Sequence, residues 1–549
     1  MENFGTLNWA IVVAYLVANL LLGYVMSGRV KTSADYQLGD RSAPWWAIGI
    51  SVVATYVSAL SFLGGPAWAY GDGMAALAIH VNYPLVIFVV VVVFMPFFYN
   101  SGVASIYEYL ERRFGPGARA VMALIFLITQ LITTASIVYA TAVVIDFATG
   151  FGLLPSIIGM TAIVLLYTLM GGMNAVIWTD VLQGAILFLG AGVVLFGLIA
   201  EVSPLSQAFD QLASADKLDP IRTDFILDDA NTIWAGVFAM TLYHITVYGT
   251  NQMMVQRALA AKTLGDAKKS YLMMGYAAFF IYFLFFFIGA LLWVHFQGRE
   301  FDNYNTIILI FASALAIPGL LGIITAAVLS ASMSSLSSAL NALATISVTD
   351  FYKRYLKREA RKGHFLLVSR ILTVVWALAA IPVALWFANA GDGSILEALT
   401  KVSSFFVGAK LSIFGMGFFS KHTTERGLLI GVLAGFVGLF LVVVDLPGLL
   451  EGRFETHSYI AWPWYVVIGA VINIVVAWSA SVLLDGFKTD WHPQTVVGQQ
   501  RHFRTEGLAE KQDGWFVVPG KVDGASWGLL GFFALTIIVL SLFATLGSA

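Results

Sequence analysis

Cysteine is absent from the 549 residues, which removes disulfides, thiolate nucleophiles and thiolate-held metals from consideration. Charge is scarce as well. Asp, Glu, Lys and Arg make up 11% of the chain, against about a quarter in an ordinary soluble domain. With 59% hydrophobic residues, the chain reads as an integral membrane protein. The formal net charge is −2 and no basic stretch is interleaved with aromatics, so nothing suits nucleic acid. Neither H-E-x-x-H nor a Walker A sequence occurs, so zinc-protease and ATP-driven pump readings lack their machinery. Gly524-Ala525-Ser526-Trp527-Gly528 matches the G-x-S-x-G pattern of serine hydrolases. It opens an apolar run with no strand before it, and the strand-turn-helix context of that nucleophile is missing.

What the chain has in quantity is apolar runs long enough to cross about 30 Å of hydrocarbon. They lie near 7–26, 45–70, 76–98, 117–147, 154–172, 178–201, 231–252, 271–296, 318–347, 366–389, 396–418, 427–446, 462–484 and 526–547. The expectation is an all-α polytopic membrane protein of about 14 transmembrane helices in a single domain. The run 7–26 is long enough to span and its leading flank carries only Glu2, so it reads as a helix rather than a cleaved leader. With the N-terminus outward, most of the 30 basic residues fall in inward loops. Only Lys217, Arg222, Arg299 and Arg453 fall outside, with Arg370, Lys401 and Lys410 within spans. That asymmetry places both termini on the extracytoplasmic side of the cell (inner) membrane. The polar stretch 485–524 is expected to lie on the cytoplasmic helix ends, and Gly427, Gly431 and Gly435 form a small-residue packing face.

Two spans read as interrupted. The second is expected to break at Ser61-Phe62-Leu63-Gly64-Gly65-Pro66, where Gly and Pro weaken the helix. The seventh carries His244, Thr246, Tyr248, Gly249, Thr250 and Asn251 across its inner half. Breaks five spans apart imply that a second five-helix unit sits upside down relative to the first. Inverted-repeat secondary transporters have this form and hold substrate and ions at the broken helices.

The ninth span contains Ala331-Ser332-Met333-Ser334-Ser335-Leu336-Ser337-Ser338-Ala339-Leu340-Asn341. At about 100° per residue, Ser334, Ser337, Ser338 and Asn341 share a face, with Ser335 at its edge. A hydroxyl buried without a partner costs roughly 1–3 kcal/mol. A desolvated cation, whose water shell the hydroxyls replace, is the natural compensation. Close helix packing explains isolated small residues, but not a paired Ser-Ser-x-Ser-Ser run. Asp180, at the head of the sixth span, is either a helix-start carboxylate beside the dipole or a source of negative charge for a second cation. Lys410 is expected to snorkel to the inner interface and Lys401 to sit deeper, where it can meet an anion. His80 and His244 are lone histidines on apolar stretches.

With Ala331–Asn341, Trp178-Thr179-Asp180 and Asn251-Gln252-x-x-Val255-Gln256-Arg257 together, the chain resembles the sodium:solute symporter family. Arg257-Ala258-Leu259-Ala260-Ala261-Lys262 looks most like the bacterial sodium/sugar branch. Asn341-Ala342-Leu343-Ala344-Thr345 looks more like the monocarboxylate and multivitamin branch. The resemblance implies a LeuT-type 5+5 inverted repeat with additional flanking helices. The leading helix is 7–26, the first part of the core 45–252, the second repeat 231–418 and the extra C-terminal helices 427–549. It implies a principal sodium site from the carbonyls of Ala54, Val57 and Ala331 with the hydroxyls of Ser334 and Ser335. A second sodium site would use Asp180, Ser334, Ser337 and Ser338, giving two ions per solute.

For the solute, Ser61, His80, His244 and Thr400 match sugar-carrier contact positions but differ in residue type. Val247 stands where the sugar carrier has an aromatic gate, and Thr133 where the sialic acid carrier has its carboxylate-binding arginine. The candidate solute contacts are therefore Ser58, Ser61, His80, His244, Asn251, Thr400 and Lys401. The expected activity is sodium-coupled import of a small polar organic solute, either an organic anion such as a monocarboxylate or sugar acid, or a neutral sugar. Lipid is the only other partner the sequence suggests. A passive channel or sensory module on the same fold is the alternative from another class. It would need a pore-long polar stripe, and the polar residues are clustered instead.

Overall fold

The computed structural model describes residues 4–27, 43–103, 105–359, 361–388, 394–444 and 459–546. Of the basic residues, Arg29, Lys31 and Arg41, which fall in the first inward loop, and Arg453 lie outside the described residues. Among those described, 11 helices are long and apolar enough to cross a membrane, and shorter apolar helices such as Trp45–Tyr56 and Leu153–Leu166 add to them. The only strands among the described residues are Lys511–Gln512 and Trp515–Phe516, an antiparallel pair. The protein is all-α and polytopic.

The fifth and sixth runs are joined, where a loop was expected. Leu153–Glu201 is one helix of 49 residues, because Gly weakens a helix by only about 1 kcal/mol and no Pro intervenes. The helix is sharply bent. Trp9 packs 6.2 Å from Phe151, while Gln183 donates to Asn19 at 2.9 Å. A straight rise from Phe151 to Gln183 would be about 48 Å and that from Trp9 to Asn19 about 15 Å, a mismatch too large for side chains to bridge.

The second span breaks earlier than Pro66. Trp45–Tyr56 ends as Val57 turns extended (φ −78, ψ 93). Ser58 then restarts the helix by accepting at Oγ from Leu60 N, 3.2 Å. Pro66 lies in the first turn of Gly65–Asp72, after the π-turn Leu60–Gly64 has shifted the ladder that proline would otherwise disrupt. The seventh span breaks where expected. Met240–Gly249 stops at Thr250, and Asn251 caps Gln252–Leu259 by accepting from Met253 N at 2.9 Å.

The serine helix, Leu320–Ile346, is buried on all sides from Ile324 onward, as a central helix should be. On the flank, Gly427 and Gly431 of Glu425–Val443 leave no room for a Cβ against Ser481, Ala477 and Asn473 of Trp464–Asp485. At one end of the bundle, ion pairs join the helix ends. There Arg119 binds Asp350 at 2.5 Å and Glu111 at 2.8 Å, and Arg354 also pairs with Glu111. Lys268 binds Asp523 at 2.6 Å, and Asn100 donates to Val517 O at 2.7 Å, fastening the segment after Asp485 to that end.

Arg354 and Arg119 hold the Glu111 carboxyl at a pKa of about 2, below its ordinary 4.5. A depressed carboxylate stabilises the fold above the unfolded value and loses that contribution as pH falls through the folded one. The melting temperature of wild type should therefore exceed that of Glu111→Gln at neutral pH by the equivalent of about 1 kcal/mol. The gap should close between about pH 4.5 and 2. A constant gap would contradict this.

Candidate ion and solute site

Where the second span leaves its helix, carbonyls lose their intrahelical partners. The serine helix meets that point: Ser335 Oγ donates to Thr55 O at 2.7 Å. Ala54, Val57, Ala331, Ser334 and Ser335 are all buried around this junction. Their carbonyls and hydroxyls are neutral oxygen donors, which suit a small hard monovalent cation. Among the described residues no three His, Asp or Glu side chains converge as a multivalent metal would require. The principal set fits sodium.

The second set meets the serine helix and also an arginine. Asp180 is wholly buried, so it is no exposed helix-start residue. Its Oδ1 accepts from Ser334 at 2.5 Å. Its Oδ2 accepts from Ser51 and, at 3.3 Å, from Thr55. Arg257 Nη2 pairs with Oδ2 at 3.2 Å and also donates to Ser338 Oγ. The guanidinium is completed by Ser51 Oγ and Met253 O, each at 2.9 Å. Ser337 Oγ turns back to Ser334 O, 3.1 Å. In this arrangement the cation answering Asp180 is the protein's own arginine. Ser51, Thr55 and Arg257 were not assigned ligand roles from the sequence, although Ser51 and Thr55 stand one helical turn apart on the face that meets Asp180.

Beside the junction lies a cavity of about 130 Å³, lined by Thr55 and Ser335 and, of the candidate solute contacts, by Ser58, Ser61, Asn251 and Thr400. Three candidates fall elsewhere. His80 and His244 sit behind Tyr56 and Tyr282, which line the cavity. His80 stacks on Tyr282 with centroids 3.7 Å apart and bonds Tyr83 OH at 3.1 Å. His244 Nδ1 bonds Asn82 Oδ1 at 2.9 Å. Both are buried members of an aromatic cluster. Lys401 is exposed. Lys410 is the lysine that faces inward, reversing the expectation for the pair: it is buried, lines the cavity and donates to Thr129 Oγ1 at 2.6 Å. Thr400, Ser403, Val407 and Lys410 all line the cavity; their 3-4-3 spacing is the stripe that would have singled out Lys410.

Broken helices that meet a cavity at mid-depth let an alternating-access carrier open one site to each side in turn. The molecule is of that class, a LeuT-type 5+5 inverted repeat with flanking helices. It belongs to the sodium:solute symporter family, whose model matches residues 36–435. It is 28% identical over 487 residues to the sodium/sialic acid symporter SiaT of Proteus mirabilis, covering 87% of this chain and 95% of that protein. It is 27% identical over 457 residues to the bovine (Bos taurus) sodium-coupled monocarboxylate transporter 2, covering 81% and 73%. The solved structure of a sodium-coupled sialic acid symporter, substrate-bound and outward-open, superposes with a TM-score of 0.77 at 27% identity, covering 88% of this chain and 99% of that one. The protein is a multi-pass, sodium-coupled membrane transporter and not an enzyme.

Removing one member of a buried ion pair strands the other, at a cost of about 3–5 kcal/mol. Arg257→Met should accordingly lower the melting temperature of the detergent-solubilised protein sharply. Adding Asp180→Leu should restore much of the loss, since the orphaned carboxylate is gone. A double variant no more stable than Arg257→Met would show that packing, not charge pairing, dominates the cluster.

Proposed function

We propose that the protein imports a small polar organic solute, either an organic anion or a sugar, across the cell membrane with one sodium ion, by alternating access. The observation that carries this reading is the Ser335 hydroxyl on the Thr55 carbonyl at the break of the second span, opening on the cavity. Sodium there is held by neutral oxygens of Ala54, Val57, Ala331, Ser334 and Ser335, and supplies the positive charge that ties the second span to the ninth. A second ion is not required, because Arg257 already neutralises Asp180.

Two sets of polar contacts tie together the elements around the cavity. At the end away from the basic loops, Ser394 Oγ donates to Gly64 O at 2.9 Å and Ile395 N to Asn305 Oδ1 at 3.2 Å. At the basic end, which we assign to the cytoplasm on the positive-inside rule, Arg119 bridges Asp350 and Glu111. Ser105 caps the helix Ile106–Arg113 beside them. Transport breaks the two sets of contacts in turn. Ser58, Ser61, Asn251 and Thr400 offer the polar contacts that orient the solute between them.

Ligand-linked stabilisation tests the ion site without a known solute. Sodium chloride should raise the melting temperature above that in potassium or choline chloride at equal ionic strength, and the titration should be hyperbolic. Ser335→Ala should weaken the sodium effect at least tenfold, about 1.4 kcal/mol. A protein indifferent to sodium overturns the reading, and a sigmoidal titration overturns the single-ion stoichiometry.

A further inference from the structure

Among the described residues, Lys410 is the single charged side chain lining the cavity. It is 9% exposed, and among the described residues no carboxylate lies within ion-pair distance of it. Its recorded bond is to a neutral hydroxyl, that of Thr129, which itself donates to Ile125 O at 2.9 Å and so has its lone pairs turned to the ammonium. One residue along the same helix, Gln130 is 3% exposed, lines the same cavity, and has an Nε2 with no hydrogen-bond partner. A buried ammonium without a counter-charge is costly, and an unmade amide bond adds to that cost. One occupant relieves both: an anionic oxygen group reaching the lysine and the carboxamide together.

Resting on the symport reading above, we infer that Lys410 and Gln130 bind the carboxylate of the transported solute, which is a small hydroxylated or keto monocarboxylate rather than a neutral sugar. Its uncharged end then faces Ser58, Ser61 and Thr400, all lining the same cavity. Lys410 is thus a specificity residue, with Thr129 positioning it.

The test uses the full-length protein in detergent with sodium present, and matched probes that differ in charge: gluconate against glucose, and lactate against glycerol. At least one carboxylate should raise the melting temperature beyond its neutral counterpart. Lys410→Gln should weaken that carboxylate's apparent affinity by tenfold or more while leaving the sodium shift intact. Should Lys410→Gln fold poorly, Gln130→Leu keeps the lysine and should still weaken the carboxylate severalfold. Neutral probes that stabilise as well as their acids overturn the inference, as does a carboxylate effect that survives Lys410→Gln. A normal sodium response with no carboxylate effect overturns it too and leaves the symport reading standing. Loss of the sodium response in wild type defeats the symport reading itself.

Discussion

Everything in this molecule turns on a helix that stops where another helix can finish its hydrogen bonding. The second span gives up its ladder at Val57, and in apolar surroundings the freed carbonyls need a partner from elsewhere in the protein. Ser335 supplies one to Thr55, and Ser58 restarts the chain on the far side. The break is stable because the serine helix is there, and the serine helix is tolerable in the interior because the break is there. Neither element would be satisfied alone.

The same economy runs through the rest of the interior. Asp180, Arg257, Ser51, Thr55, Ser334 and Ser338 form a closed set in which each charge and hydroxyl has an answering group. His80, His244, Tyr83 and Asn82 form another among stacked rings. In both, polar groups that look like ligands along the chain answer one another, His80 Nε2 excepted. The cavity wall around Thr129, Gln130 and Lys410 is different, since there a charge and an amide remain to be matched.

Much of this was legible in the residues. Hydrophobic length located the spans, and the crowding of hydroxyls located the helix that crosses the break. What was not legible depended on tertiary partners. Pro66 drew the second break towards itself, yet a π-turn accommodates it, and the break falls at Val57 and Ser58, which carry no local breaker signal. Lys401 and Lys410 stand nine residues apart and hence on opposite faces of one helix. Periodicity separates them, but only the packing of Thr129 against that helix says which face is inside. The lone histidines show the same dependence: their partners, Tyr83 and Asn82, and the aromatic cluster around them are set by packing that the linear pattern does not display.

The Arg257–Asp180 pair also bears on how the membrane voltage acts on the cycle. A guanidinium fixed to the chain balances the buried carboxylate without itself being delivered anywhere, so that balance adds nothing to the net current. On the single-ion reading proposed above, what crosses is one cation and whatever charge the cargo bears. If the cargo is a monoanion the two cancel, and the resting potential neither drives nor opposes accumulation. The chemical gradient of sodium would then set the limit, about tenfold concentration for each tenfold sodium ratio.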